Sequence, residues 1–336
     1  MKIGPFEHPS NVVIAPMAGV TDQPFRNLCR SQGAYWVVSE MVTSDHRLWD
    51  TVKSSHRLRF QTESEPRWIQ IAGGDPRILA EAARLNVERG AQIIDINMGC
   101  PAKKVCNKMA GSALMRDEQL VGRILESVVN AVDVPVTLKI RLGWSLQEKN
   151  AQVIARMAES TGVQLLTVHG RSRACRFTGQ VDYEAIGEIV QSVSIPVIAN
   201  GDIDSETKAA DVLSQTGAAA VMVGRAAQGR PWLVAQIDHY LKTGKLKKSP
   251  GLCEVKTILI SHIKNLAEFY GEVMGPRIAR KHVGWYFRGI SKDYAAKDYV
   301  ESSFLREFNG LSHSQEQIQA IENALMRINE RTGQAA

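Results

Sequence analysis

Short apolar runs rich in valine and isoleucine recur through the first two thirds of the chain, and segments with helical periodicity separate them. Several of these runs are almost continuously apolar, which is typical of strands that are buried on both faces of a sheet. Strands that alternate with helices predict parallel βαβ units, and eight such units predict a closed (β/α)8 TIM barrel. An open, doubly wound sheet is the alternative, but it usually has fewer strands. The eight predicted strands are 12–17, 36–42, 68–72, 93–97, 134–140, 165–169, 195–200 and 219–223.

The pattern changes after the eighth predicted strand. A helix is predicted from Arg230 to about residue 241, and residues 242–251 form a predicted linker because they are rich in lysine and glycine. Beyond the linker, apolar residues keep helical spacing towards the end of the chain. We therefore expect an α/β barrel domain over 1–241 and a small C-terminal helical bundle domain over 252–336.

The length and the charge fit this plan. A barrel usually takes about 250 residues, so a chain of 336 residues has room for a small second domain. The net charge is +6, and the lysines of the linker contribute +4 of it. A mild basic excess suits a polyanionic partner, although a solvated lysine cluster explains the same charge.

The cysteines argue against structural cross-links. There are 5, none of them forms a CxxC pair, and the count is odd, so we expect neither a disulfide framework nor a metal site. This usage fits a reducing compartment. No signal peptide and no membrane-spanning apolar run is visible, and we therefore expect a cytoplasmic protein without a membrane partner.

Polar and glycine-rich residues follow most of the predicted strands. In a parallel barrel the carboxyl ends of all strands surround one mouth, where the active site lies. These residues are therefore candidates for a shared site. They are Pro16, Met17 and Ala18 after the first strand, Gln70 in the third, Asn97 and Cys100 after the fourth, Lys139 and Arg141 at the fifth, His169 and Arg171 at the sixth, Asn200, Gly201 and Asp202 at the seventh, and Gly224 and Arg225 at the eighth.

The last two strand ends predict a phosphate site. The loops after strands seven and eight hold a phosphate in many barrels. Gly201 and Gly224 allow backbone N–H groups to approach phosphate oxygens, and Arg225 adds a fork of donors. Simple barrel turns with a surface arginine are the alternative. Neither a GxGxxG run after a strand nor a P-loop competes for this interpretation.

Lys139 is a second candidate, because a lysine near the end of an apolar strand is costly to bury without a partner. Three interpretations are open. The side chain extends to the rim of the barrel, or it forms a Schiff base, or it is a fixed cation beside a cofactor that becomes anionic, as a reduced flavin does.

Cys100 and His169 complete the candidates. A thiol near its reference pKa of about 8.5 stays protonated at neutral pH and can donate a proton. Lys103 and Lys104 follow closely; they lower this pKa, contact RNA phosphates, or belong to a solvated loop. His169 is either a satisfied core histidine or a hydrogen-bond partner of a cofactor.

Taken together, these residues resemble a known family. The runs 15–19, 95–101, 139–141, 169–171, 200–202 and 224–225 (APMAG, DINMGCP, KIR, HGR, NGD and GR) are similar to those of the bacterial tRNA-dihydrouridine synthases, and to the B-type subfamily in particular. The run around Cys100 is the most specific of them. The resemblance continues into the tail at 277–283 (RIARKHV) and covers essentially the whole chain.

The resemblance implies an FMN-dependent oxidoreductase of tRNA. NADPH, with NADH as the other possibility, reduces the flavin, and a D-loop uridine flipped out of the tRNA then becomes 5,6-dihydrouridine. Hydride passes from flavin N5 to C6, and Cys100 donates a proton to C5. A monomer is expected. The implied FMN ligands are Pro16, Met17, Ala18, Gln70, Lys139, His169, Asn200, Gly201, Asp202, Gly224 and Arg225, and the implied tRNA contacts are Asn97, Lys103, Lys104, Arg141, Arg171, Arg277, Arg280 and Lys281.

Two rival functions are weighed against this one. A flavin barrel that acts on a free pyrimidine, like a dihydroorotate dehydrogenase, has no need for the basic helical tail. That tail carries Arg277, Arg280 and Lys281 at helical spacing i, i+3, i+4, which predicts one shared face. A barrel that binds RNA without catalysis has no need for both Cys100 and Lys139.

Overall fold

Eight parallel strand positions form the barrel in the computed structural model, which describes residues 1–293 and 303–332. The sheet order is β4-β3-β11-β10-β9-β8-β7-β6-β5. A two-stranded antiparallel hairpin, β1 with β2, precedes the barrel. The strands are β1 (Lys2–Ile3), β2 (Phe6–Glu7), β3 (Val12–Ile14), β4 (Trp36–Val37), β5 (Val42–Thr43), β6 (Trp68–Ala72), β7 (Ile93–Met98), β8 (Val136–Arg141), β9 (Leu165–His169), β10 (Val197–Asn200) and β11 (Ala220–Val223).

The second barrel position closes the sheet. Its two halves, β4 and β5, lie at opposite ends of the strand order, so the residues between them must connect the two edges. The N–H of Val38 donates to the carbonyl of Ile14 on β3 at 3.2 Å, and the N–H of Ser39 donates to the carbonyl of Trp68 on β6 at 3.0 Å. The predicted (β/α)8 barrel is thereby confirmed.

Prolines account for three of the places where the predicted strands are too long. A proline has no N–H to donate to a sheet ladder. The first strand ends at Ile14, before Pro16, and the fifth and seventh begin only after Pro135 and Pro196. The hairpin of β1 and β2 was not predicted.

Helices cover the outside of the barrel. Aspartate side chains accept N–H groups at several of their first turns, as Asp22 does from Phe25 at 3.0 Å and Asp75 from Ile78 at 3.0 Å. Their apolar faces pack on the strands and form the largest core. The helices are α1 (Gln23–Ser31), α2 (Val52–Arg57), α3 (Pro76–Glu88), α4 (Lys103–Cys106), α5 (Glu118–Val129), α6 (Ala151–Ser160), α7 (Tyr183–Ser192), α8 (Glu206–Thr216) and α9 (Leu233–Thr243), with 3-10 turns at His46–Leu48, Gly111–Arg116 and Arg225–Ala227.

The inside of the barrel is apolar at one end and polar at the other. Trp36, Trp68, Ile93 and Leu165 fill the amino end of the strands, and Ile3 of the hairpin packs with them. Towards the carboxyl ends, the buried interior residues become polar: Gln70, Asp95, Asn97, Thr137, Lys139, Thr167, His169 and Asn200. The barrel is therefore filled by apolar side chains at its amino end, and its interior is polar towards the mouth.

The C-terminal segment is helical and has a core of its own. It contains α10 (Leu252–Asp293), which is broken at Gly271, α11 (Ser303–Gly310) and α12 (Ser314–Thr332). Leu259, Leu266 and Val283 of α10 pack with Ile321 of α12 in this second core. α10 also packs against α1 of the barrel. Residues 294–302 and 333–336 of the predicted helical domain lie outside the described residues.

The predicted linker lies between two helices. α9 continues to Thr243, α10 begins at Leu252, and residues 245–251 have no regular secondary structure. Gln236 fixes part of this segment, because its amide nitrogen donates to the carbonyl of Lys247 at 3.2 Å and to the hydroxyl of Ser249 at 3.1 Å. Within the described chain, no helix combines the length and the apolarity that a membrane span requires.

Candidate active site

A cavity of about 1100 Å³ opens at the carboxyl ends of the barrel strands. This volume is in the range of small-molecule and cofactor sites. The strand-end residues lie together around it because parallel strands all finish at the same mouth. Those predicted from the sequence that line it are Pro16, Met17, Ala18, Gln70, Asn97, Cys100, Lys103, Lys139, Arg141, His169, Asn200, Gly201, Asp202, Gly224 and Arg225.

Cys100 lies in the loop that follows β7, with its backbone held on both sides. Its N–H donates to Oδ1 of Asn97 at 3.0 Å, and its carbonyl accepts the hydroxyl of Ser112 at 2.9 Å. Burial raises the pKa of the thiol, and this effect outweighs the lowering by the cations of Arg141 and Lys139. The side chain is therefore a protonated thiol at neutral pH, which is a proton donor and a weak nucleophile.

Lys139 is buried in the wall of the cavity. Its Nζ donates to Oδ1 of Asn200 at 3.1 Å, and the amide nitrogen of Asn200 donates in turn to the carbonyl of Met222 at 2.8 Å. Burial lowers the pKa of Lys139 to about 8, and the neighbouring Arg141 acts in the same direction. The side chain does not extend to the solvent at the rim, so this interpretation is wrong, and the ammonium group faces the cavity.

His169 is a buried imidazole in the lining of the cavity. The residue is buried, and its Nε2 has no hydrogen-bond partner among the described residues. Burial, together with the cations of Arg141 and Lys139, lowers the pKa of this imidazole well below 6.5, so the ring is neutral. An unpartnered buried nitrogen is costly.

Asp202 connects two arginines at the ends of strands β9 to β11. Its carboxylate accepts from Arg225 at 2.8 Å and pairs with Arg171, and these contacts lower the pKa of Asp202. Asp202 has a φ of 45°, and Gly201 before it has a φ of 133°. A side chain at Gly201 would place its Cβ 2.9 Å from Val181, so only glycine fits this turn.

Arg141 and Arg171 were predicted to contact tRNA, and the structure places both guanidinium groups inside the protein. Arg141 donates from Nε to the carbonyl of Gly99 at 2.7 Å and from Nη1 to the carbonyl of Arg176 at 2.8 Å. Arg171 is buried beside Asp202 and does not line the cavity. Both cations hold the loops of the mouth in place.

The basic residues of the tail do not share one free face. Arg277 is exposed, whereas Arg280 donates to the carbonyl of Leu311 at 3.2 Å. Lys281 reaches the barrel and donates to the carbonyl of Gly19, and burial lowers its pKa. The helical spacing is as predicted, but two of the three cations are engaged within the chain. Lys104 is exposed on α4, outside the lining of the cavity.

Phe177 and Arg176 line the cavity and were not identified from the sequence. The ring of Phe177 is 51% exposed and lies 5.4 Å from the guanidinium of Arg141 and 5.2 Å from that of Arg225. An aromatic residue among several arginines in the loop after His169 was the available signal. Among the described residues, no three His, Cys, Asp or Glu side chains are grouped so that they could hold a metal ion.

Comparison with known proteins identifies the family of this chain. The family model described as dihydrouridine synthase (Dus) matches residues 13–325. The tRNA-dihydrouridine synthase B of Pseudomonas aeruginosa is 57% identical over 337 residues, covering 100% of this chain and 99% of the relative. That of Escherichia coli is 52% identical over 322 residues, covering 96% and 98%.

Among solved structures, mandelate oxidase aligns with a TM-score of 0.45 and 20% identity over 69% of this chain and 71% of its own, a likeness too distant to support an argument. The resemblance found in the sequence motifs is confirmed by the family match and by the curated relatives. This chain therefore belongs to the dihydrouridine synthase family of flavin-dependent oxidoreductases.

Proposed function

We propose that this chain is a tRNA-dihydrouridine synthase that reduces the C5–C6 double bond of a D-loop uridine in cytoplasmic tRNA. In this proposal the flavin is FMN, and NADPH, or NADH, is the reductant. The observation that carries it is a protonated thiol, Cys100, in the wall of a cavity that is also lined by a buried cation, Lys139, and by the neutral imidazole of His169.

The residues of the cavity fit a flavin. Lys139 offers a buried positive charge, and Nε2 of His169 needs a hydrogen-bond partner. When bound, the flavin supplies hydride for C6 of the uracil. We assign Pro16, Met17 and Ala18 to the edge of its ring system, Gln70, Lys139 and His169 to its polar atoms, and Asn200, Gly201, Asp202, Gly224 and Arg225 to the ribityl phosphate.

Cys100 is the proton donor in this proposal. Its raised pKa keeps the proton on sulfur until a carbanion-like C5 needs it. Asn97 and Lys103 also line the cavity, and we assign them to contacts with the uridine. A uridine of folded tRNA is inaccessible, so the enzyme must take it out of the stack.

The tRNA itself is held outside the cavity. We assign the catalytic role to the barrel over 1–241 and tRNA binding to the helical segment over 252–336, joined by the linker 242–251. Exposed Lys104 and Arg277 are suited to phosphate contacts. The engaged cations Arg171, Arg280 and Lys281 are assigned a supporting role instead.

The decisive experiment separates the two half-reactions. Cys100→Ala should carry FMN, seen as flavin absorption bands, and be reduced by NADPH at the wild-type rate. Its reoxidation by tRNA should be roughly 10²–10⁴-fold slower, because a positioned acid is missing. Cys253→Ala changes an exposed cysteine and is the matched control. Near-normal dihydrouridine formation by Cys100→Ala would show that the thiol is not the acid, and a protein without FMN even after its addition would contradict the cofactor.

A further inference from the structure

A chain of buried hydrogen bonds runs from the inside of the barrel to the loop of Cys100. Gln70, Asp95 and Thr137 are register partners on β6, β7 and β8, so their side chains meet in one layer. The carboxylate of Asp95 accepts from Nε2 of Gln70 at 2.6 Å and from the hydroxyl of Thr137 at 2.6 Å. Asp95 is 1% exposed, and it takes no part in the mechanism above.

The chain continues upward through two amides. Oε1 of Gln70 accepts from Nδ2 of Asn97 at 2.7 Å. Oδ1 of Asn97 then accepts the N–H of Cys100 at 3.0 Å and that of Gly99 at 3.3 Å. Two side chains, those of Gln70 and Asn97, therefore connect Asp95 to the backbone of Cys100. Each of them makes one hydrogen bond on the side of Asp95 and at least one on the side of Cys100.

The direction of every bond in this chain follows from the carboxylate. An ionised carboxylate accepts only, whereas a side-chain amide has a donating end and an accepting end and can adopt two orientations. Asp95 requires the NH2 group of Gln70 to face it, so the oxygen of Gln70 faces Asn97. The NH2 group of Asn97 must then face Gln70, which leaves its oxygen for the N–H of Cys100.

Other groups hold the carbonyl side of the same loop. Arg141 donates to the carbonyl of Gly99 at 2.7 Å, and the hydroxyl of Ser112 donates to the carbonyl of Cys100 at 2.9 Å. The N–H groups of both residues depend on Asn97 alone among the described side chains. The orientation of Asn97 therefore determines whether these two N–H groups are satisfied.

We propose that Asp95 is a positioning residue for the acid: its carboxylate orients the amides of Gln70 and Asn97, and through them it fixes the backbone of Cys100. The proposal rests on the proposed function only in so far as the thiol is the acid. Asp95 itself does not line the cavity.

Three variants test the proposal in the holoenzyme. Asp95→Leu has a similar size but no acceptor. Asp95→Asn keeps an oxygen for Gln70 if its NH2 group faces Thr137, whose hydroxyl then has the carbonyl of Ile94 at 3.4 Å to donate to. Thr167→Val is the matched control, because Thr167 is buried on β9, one strand beyond β8, and its hydroxyl has no partner among the described residues.

The first readout is the alkylation rate of the Cys100 thiol by iodoacetamide across pH, measured on its peptide by mass spectrometry with exposed Cys253 as internal reference. In Asp95→Leu the freed loop should expose the thiol, so alkylation becomes about threefold faster or more and its pH midpoint falls. The alkylation rates of Asp95→Asn and Thr167→Val should stay within about twofold of the wild-type rate. The first variant can keep the chain of hydrogen bonds, and the second does not touch it.

The second readout is the rate at which tRNA reoxidises the reduced flavin. This rate should be roughly 10- to 100-fold lower in Asp95→Leu, because a mutation that shifts a reacting group by about 1 Å can slow a reaction that much, even from a distance. Unchanged alkylation in Asp95→Leu, or an equal change in Thr167→Val, would overturn the positioning role. Altered alkylation with normal reoxidation would support the positioning and refute the acid role of Cys100 instead. If the leucine variant does not fold, Asp95→Ser, which is too short to reach Gln70, takes its place with the same two outcomes.

Discussion

His262 and His282 are buried where α10 packs against α1. Their rings lie 4.5 Å apart at nearly right angles, and Phe25 of α1 lies 6.0 and 5.9 Å from them. Among the described residues, none of their four ring nitrogens has a partner. Burial lowers the pKa of His262 to about 3 and that of His282 well below 6.5. The packing of the helical segment on the barrel thus requires two neutral imidazoles.

The cost of this requirement depends on pH. In the unfolded chain each imidazole has a pKa of about 6.5 and takes up a proton below it, whereas the native state does not. The free energy of unfolding therefore has its full value above pH 6.5 and falls by about 1.4 kcal/mol per histidine by pH 5.5. Asp22 and Asp95 act in the opposite direction, because burial raises their pKa values to about 6 and the stability they contribute is lost as the pH rises through 6.

A comparison of variants isolates the histidines. His262→Phe removes one titrating ring and leaves both aspartates, so their contribution cancels in the difference from the wild type. Between pH 7.5 and pH 5.5 the variant should gain about 1.4 kcal/mol relative to the wild type in urea unfolding followed by tryptophan fluorescence. Exposed His46→Phe is the control and should follow the wild type. If His262→Phe keeps the pH dependence of the wild type, His262 is not held neutral in the folded protein.

Two further predictions concern the cations. Lys139→Met should still bind FMN but be reduced by NADPH roughly 10-fold more slowly in stopped-flow absorbance, because a fixed positive charge is lost where negative charge develops; an unchanged rate would contradict that role. Arg277→Ala should lower the log–log salt dependence of tRNA binding by roughly 0.7–0.9, whereas Arg280→Ala should leave this slope unchanged and lower the thermal midpoint, since its partner is the carbonyl of Leu311. Equal slopes for both variants would show that the exposed Arg277 does not contact phosphate.

The barrel is predictable from the sequence because its strands are buried on both faces. Such strands are almost continuous apolar runs, and their number and spacing leave few architectures. The hairpin of Lys2–Ile3 and Phe6–Glu7 is not predictable in this way, since two residues per strand show no periodicity. The interruption of the second strand at Glu40 is not predictable from the local sequence either. The carboxylate of Glu40 accepts from distant partners, the N–H of Gly19 and the guanidinium of Arg57.

The site also has a part that is predictable from the sequence and a part that is not. The residues that line the cavity, such as Lys139 and His169, are predictable because barrel topology brings every strand end to one mouth. The partners of long cationic side chains are not, because the local sequence does not specify them. Arg171 looks like a surface cation until Asp202 is placed beside it. Lys281 looks free until Gly19 of the barrel is placed against α10.

The way the cations of the mouth are paired determines what the cavity can do. Lys139 donates to the amide oxygen of Asn200, and Arg141 donates to backbone carbonyls. Neutral oxygens satisfy these donors without cancelling their charge, whereas the carboxylate of Asp202 compensates Arg171 and Arg225 at the outer end. Two cations, Lys139 and Arg141, thus act on the thiol of Cys100, and the buried carboxylate of Asp95 is a counter-charge to Lys139. In the proposed reaction, negative charge builds up on the pyrimidine ring beside these cations before the proton arrives. Fixed charge that is already in place at that position stabilises the transition state without reorganisation.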